Sequence, residues 1–336
     1  MTSDSTTPLL SPEEIATRQR DEAVHLRFPE RSWCFKERGT RFRQWSADHP
    51  MRDFLLFMAE LAEGQQAVLD QARAVALPDQ TLLGQCARDG VSPLSLEHWP
   101  LGSDWRDDLM ALVSRLQQRS MPEPVQVALN HLLLVDPAVL DQQAQRLISG
   151  ISLGVDLATA PFIAAALQVH YVRLVAATQH AFPDLAFGRI DEPRVCPCCG
   201  GHPVASVSRI GGDESGSRYL HCSMCQTQWH MVRIQCTHCG SNRKIVYESL
   251  QSVDGQQAPA LLDTEGMVRA ETCEECHHYL KIVSMDKDPH VDPVADDVAT
   301  LALDLLMSES GHSRHGVNFM LLMGESEPPA GIDRGP

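Results

Sequence analysis

The chain has 336 residues, with 44 acidic and 28 basic side chains and a formal charge of −16. A hydrophobic share of 43% and a charged share of 21% describe a folded globular chain, not a disordered one. The negative charge argues against a surface built to hold nucleic acid or an anionic membrane, since both repel it. Cysteine is the unevenly placed residue: of 11, nine fall between Cys196 and Cys276, and the others are Cys34 and Cys86.

Residues 1–193 read as an all-α domain. Ser11-Pro12-Glu13-Glu14 is a helix-start signature, with a hydroxyl cap, proline in the first turn and a glutamate reaching back. Asp48-His49-Pro50 precedes an amphipathic run through Phe54, Phe57, Met58, Leu61 and Val68. Ser103-Asp104 opens a second, carrying Leu109, Leu112, Val113 and Leu116, and Pro122-Glu123-Pro124 a third, carrying Val125, Leu129, Leu132 and Leu133. Asp136-Pro137 caps a helix with Leu140, Leu147 and Ile148, and Pro161 begins the most apolar run, ending near His180. That last run contains His170 and Arg173, so it reads as a buried helix and no membrane insertion is expected. The first 14 residues show no basic segment followed by an apolar one, so the expected compartment is the cytoplasm, where thiols stay reduced.

At Asp191-Glu192-Pro193 helical periodicity stops. Four C-x-x-C pairs follow: Cys196/Cys199, Cys222/Cys225, Cys236/Cys239 and Cys273/Cys276, separated by 22, 10 and 33 residues. Two residues between cysteines let a tight turn aim both sulfurs at one ion, and two such turns complete a tetrahedral S₄ site. Cys199 and Cys239 are followed by glycine, Cys225 and Cys276 by Gln226 and His277, so two kinds of pair alternate. Each pair of the second kind precedes a similar strand, Trp229–Ile234 and Tyr279–Val283, which makes an internal repeat. Sequential pairing is the economical reading, with Cys196, Cys199, Cys222 and Cys225 in one module and Cys236, Cys239, Cys273 and Cys276 in the next. A cross-braced exchange of pairs is the alternative. Two tetrathiolate ions are therefore expected, iron first and zinc as the alternative. Arg194, Arg209, Arg218 and Arg233 are the candidates to offset the thiolate charge. Cys198 reads as a spectator inside the first turn, Cys34 and Cys86 as isolated core thiols. His202, His221, His230, His238, His277 and His278 read as structural or exposed, supporting sulfur from outside the ligand set. With eight basic and nine acidic residues, 194–284 lacks the basic face of a nucleic-acid-reading ribbon.

Helix returns after Asp292-Pro293, with Val294, Val298, Leu301 and Leu305 as a stripe. The expected organisation is α+β: an all-helical domain (1–193), two tandem rubredoxin-like or zinc-ribbon-like small β modules (194–234 and 235–285), a linker and C-terminal helix (286–323), and a disordered tail (324–336). Motifs for a nucleophile elbow, a phosphate loop, a dinucleotide fold and a zinc protease are all missing, and S₄ sites saturated with cysteine leave no position for a hydrolytic water. A non-enzyme is expected.

Cys196-Pro197-Cys198-Cys199-Gly200, Arg218–Cys225, Trp229-His230, Tyr279–Ile282, Asp288-Pro289 and Ala295–Asp304 resemble the formate dehydrogenase accessory protein (FdhE) family. His49-Pro50 and Phe57-Met58-Ala59 extend the resemblance into the helical half. Two departures stand out: Cys198 where the family usually has another residue, and no proline between Asn318 and Phe319. The resemblance implies a cytoplasmic maturation factor that contacts the catalytic subunit of respiratory formate dehydrogenase. It also implies iron in rubredoxin-like modules held by the eight paired cysteines. Self-association is compatible with it; a rubredoxin-like electron-transfer protein is the alternative.

Overall fold

The computed structural model describes residues 24–151, 153–210, 216–250 and 266–322. The Ser11–Glu14 signature and the tail after residue 323 lie outside the described residues. Seven helices form the first half: α1 (Cys34–Ser46), α2 (Arg52–Leu69), α3 (Gln80–Asp89), α4 (Asp104–Gln117), α5 (Glu123–Leu132), α6 (Pro137–Ile148) and α7 (Ala160–Ala181). The apolar stripes do what their spacing predicts: Leu109, Leu112, Val113 and Leu116 of α4 are buried, as are Leu140 and Leu147 of α6. Helix α7 is long and apolar enough to cross a membrane, but most of it is buried inside the protein, against α2, α4 and α6. Close approach of α2 to α4 depends on Gly64, where a Cβ would meet Leu112 Cδ1 at 2.8 Å. Buried Arg173 of α7 is ion-paired to Asp108 of α4 at 2.6 Å, and burial pushes that carboxyl above its usual range despite the cation.

Two helices escape the pattern reading. Helix α1 carries Arg38 and Arg41 on its buried face, because its partners are carboxylates and not an apolar groove. Helix α3 is short, capped by Asp79, whose carboxylate accepts from Leu82 N–H at 2.8 Å, and closed by Gly90 in the left-handed region.

The second half is a single eight-stranded sheet: β1 (Leu26–Arg27), β2 (Pro203–Ser208), β3 (Arg218–Cys222), β4 (Gln228–Met231), β5 (Ile245–Glu248), β6 (Val268–Cys273), β7 (His278–Ser284) and β8 (Ser313–Arg314). Its order is β1-β4-β3-β2-β7-β6-β5, with β8 against β7. The expected modules are thus β2–β4 and β5–β7, each an antiparallel triplet, fused by a parallel β2–β7 pair with Ser206 opposite Ile282. Both triplets run in the same sense across the sheet, so the repeat is head-to-tail.

The C-terminal helical stripe is broken in two, α8 (Pro293–Ala299) and α9 (Leu301–Glu309). Asp292 caps α8 as expected, accepting from Val294 and Ala295 N–H. The break falls at Thr300, whose carbonyl and hydroxyl take hydrogen bonds from buried Lys281 of β7. Rephasing after the break leaves Leu305 exposed and buries Leu303 instead. Lys281, Tyr279, Arg314, Asp297 and Asp304 form one buried polar network that pins both short helices to β7.

Candidate metal centres

Each centre is built from two turns at the same end of its strand triplet. In the first, Cys196–Cys199 precedes β2 and Cys222–Cys225 joins β3 to β4; in the second, Cys236–Cys239 precedes β5 and Cys273–Cys276 joins β6 to β7. The backbone bonding repeats: Gly200 N–H donates to Cys196 O (2.8 Å) and Gly240 N–H to Cys236 O (3.0 Å). Cys196 N–H reaches Gly201 O and Cys236 N–H reaches Ser241 O. Glycine serves the left-handed backbone at positions 200 and 240. Gln226 (φ 64°) and His277 (φ 56°) adopt the same conformation without being glycine, so the four turns share one geometry that composition had divided into two kinds.

The fold brings the cysteines together in the sequential pairing, and not in the cross-braced one. Within each set the ligand atoms all lie within 4.8 Å of one another. Sγ separations are 3.5 Å for Cys196–Cys225 and Cys199–Cys222, and 3.7 Å for Cys236–Cys276 and Cys239–Cys273. A tetrahedron with metal–sulfur bonds near 2.3 Å has an edge of about 3.8 Å, so both sets fit one tetrahedral ion. Backbone N–H groups already aim at sulfur: Met224 and Cys225 toward Cys222 Sγ, and His238 toward Cys236 Sγ, each at 3.4 Å. These donors would offset part of the negative charge of four thiolates.

Surroundings differ sharply. Every cysteine of the first set, and Cys198 with it, has zero exposure. Helical-domain residues close over it. Leu94 and Leu96 N–H donate to Cys198 and Cys199 carbonyls, Ser92 to Cys196 O, and Gln168 of α7 to Ser223 O. Gln226 is held by Arg38 of α1, which also pairs with Asp292 at 3.3 Å, and by His221 at 2.9 Å. Burial and the thiolates of Cys199 and Cys225 push the Tyr171 hydroxyl upward. In the second set Cys236 and Cys273 are buried, Cys276 is half-buried and Cys239 is exposed.

Of the four arginines singled out in the sequence, Arg194 lies by the second set, donating to His238 O at 2.5 Å. Arg218 is committed to Glu271 at 2.8 Å, and Arg209 reaches Gln228. Cys198 Sγ rests 3.6 Å from Thr227 Oγ1, outside the four-sulfur set. Cys86 is buried, whereas Cys34 is only half-buried, and burial lifts its thiol to about 12. Sequence reading missed His315, which joins His202, His238 and His278 in a ring cluster beside the second set; lying 76 residues beyond the nearest cysteine turn's start at position 239, it left no spacing signal. The largest cleft among the described residues, about 840 Å³, lies at the opposite end of β2 and β7, beside Ser208 and Ser284.

Two four-cysteine sets on tandem turn-and-strand units, mounted on a helical domain, define a zinc-ribbon-like protein able to bind two metal ions. Family models named for FdhE cover the chain in three parts: the N-terminal region over 23–183, the central domain over 195–233 and the C-terminal domain over 234–321. The chain therefore belongs to the FdhE family. It is 32% identical over 311 residues to Protein FdhE of Escherichia coli (strain SMS-3-5 / SECEC), covering 92% of this chain and 95% of that one, and equally so to Protein FdhE of Escherichia coli O1:K1 / APEC. The crystal structure of the FdhE protein from Pseudomonas aeruginosa superposes with a TM-score of 0.76 at 34% identity, covering 90% of this chain and all of that one.

Proposed function

We propose that this chain is a cytoplasmic maturation factor for respiratory formate dehydrogenase. It binds the catalytic subunit of that enzyme and carries two S₄ ions, held by Cys196, Cys199, Cys222 and Cys225 and by Cys236, Cys239, Cys273 and Cys276. Iron is the preferred ion and zinc the alternative. The observation that carries the reading is the pairing of FdhE family membership with two saturated sulfur sets, which leave no open coordination position for substrate. In this role the ions hold strands and turns in place, and the helical domain and turns present a docking surface.

The test is maturation of formate dehydrogenase in cells lacking the native factor and supplied with this chain or its variants. Wild type restores activity and co-purifies with the catalytic subunit, while Cys222→Ser and Cys239→Ser fail to restore it. Full activity with both variants, each shown to have lost an ion, would remove the metal sets from the function. A second reading, electron transfer through rubredoxin-like iron, is favoured by one observation: Cys239 stands at the surface, where outer-sphere contact is open. Thiolate-to-iron absorption that bleaches reversibly on reduction supports it, and colourless protein with two zinc ions rules it out.

A further inference from the structure

A second donor set borders the second centre. His238, His278 and Cys276 each offer one ligand atom, and the three atoms lie within 4.8 Å of one another. The two imidazoles are stacked with centroids 3.6 Å apart and planes 5° from parallel. A tetrahedral ion with metal–nitrogen bonds near 2.05 Å needs nitrogens about 3.3 Å apart, so the rings are already spaced for one ion. His278 Nδ1 lies 2.8 Å from Cys276 O; donating its N–H there leaves Nε2 as the lone-pair nitrogen, the bonding found behind most metal-ligating histidines. His315 packs edge-on behind His238 at 5.2 Å, with its Nε2 buried and without a hydrogen-bond partner. Parallel planes do not aim two lone pairs at one point, so a ring must tilt as an ion arrives. His238 is exposed and free to do so. No carboxylate belongs to the set, and two imidazoles with one thiolate suit a borderline divalent ion.

We propose that His238 and His278, sharing Cys276 with the tetrathiolate set, form a capture site that takes a divalent transition-metal ion from solvent and passes it to the second centre. The inference rests on the reading of Cys236, Cys239, Cys273 and Cys276 as a metal centre. Cys276 stays bound throughout. Three thiolates displace two imidazoles and one water, the thiol protons leave to solvent, and no electron moves. Shared use of Cys276 makes the transfer a stepwise ligand exchange in which the ion is never released.

Co²⁺ is the probe, since its absorption distinguishes S₄ from mixed nitrogen–sulfur coordination. The full chain, stripped of metal, is mixed with Co²⁺ and the S₄ bands are followed in time; Cys239→Ser identifies the phase belonging to the second centre. His238→Ala, a change to an exposed ring, is expected to slow that phase at least tenfold, leaving the other phase and the final spectrum unchanged. Cys239→Ser protein is expected to bind Co²⁺ with a nitrogen–sulfur spectrum that adding His238→Ala and His278→Ala abolishes. Equal loading rates in wild type and His238→Ala, or a nitrogen–sulfur spectrum that survives removal of both histidines, overturns the capture site alone. Failure of wild type to show any second S₄ phase overturns the centre itself, and the capture site with it.

Discussion

The two centres share a blueprint and differ in what surrounds them. Strand triplets, turn bonding and left-handed backbone positions match residue for residue, yet the first set is sealed in the main hydrophobic core while the second sits at its rim. Cys196, Cys199, Cys222 and Cys225 belong to one continuous apolar cluster with Leu55, Leu112 and Val172 of the helices. None of Cys236, Cys239, Cys273 and Cys276 belongs to it, or to the smaller cluster under β5–β7. The same ligand chemistry can therefore serve as a keystone in one place and an accessible port in the other.

The sharpest test of that contrast is to remove one ligand from each. Cys222→Ser is expected to cost one ion and on the order of 10 kcal/mol of folding free energy, because structural S₄ binding energy is also folding energy. Thermal melts followed by circular dichroism should show the helices failing together with the sheet. Cys239→Ser should cost one ion but leave the helical melt within a few degrees of wild type. Equal losses in the two variants would break the comparison.

Next in size are the cations beside each centre. Arg38 is 1% exposed and ties Gln226 to Asp292, so Arg38→Met should destabilise by about 3–5 kcal/mol in denaturant titration. Arg194 is paired with Glu192 at the surface, and Arg194→Met should cost less than about 1 kcal/mol.

Acid should act first on the buried side. Burial holds the His170 imidazole down near 4 from an ordinary value of 6.5, so the folded chain keeps it neutral where the unfolded chain charges it. Its contribution is fully present above pH 6.5 and is lost as the pH falls through 4. Relative to His170→Leu, wild type should lose up to about 3 kcal/mol between those limits, and a flat difference in unfolding free energy would disprove the assignment. Buried Asp296 works in the opposite sense, its carboxyl raised to about 6, which is why the difference from the variant is the quantity to follow.

Smallest is the pair of left-handed residues. His277→Gly at the rim relieves backbone strain and should stabilise by up to about 1 kcal/mol. Gln226→Gly relieves the same strain but strips hydrogen bonds from Arg38 and His221, and should destabilise by about 1–2 kcal/mol. Opposite signs at equivalent positions would show that the surroundings, not the turn, set the difference.

Much of this was legible in the sequence, because apolar spacing and C-x-x-C turns are local signals. The α2, α4, α6 and α7 stripes and the sequential grouping of cysteines follow from residues within a few positions of one another. What escaped depends on distant partners. Helix α1 is driven inward by Asp292 and Asp296, some 250 positions away, and a run rich in Lys and Arg gives no apolar period to read. Thr300 breaks the last helix through Lys281 of β7. Fusion of the two modules into one sheet rests on the parallel β2–β7 pair, which no turn announces. His315 enters the imidazole cluster only because the chain after α9 returns along β7. Asn318, at the family's missing proline, is buried and donates to Val294 O and Asp297.

The head-to-tail sheet has a metrical consequence. Corresponding strands of the two triplets, β3 and β6, are three places apart in a ladder whose rungs are about 4.8 Å, and both cysteine sets stand at the same end. The sheet is thus a ruler that fixes two ions on the order of 15 Å apart. Neither ion can approach the other unless the β2–β7 pairing gives way.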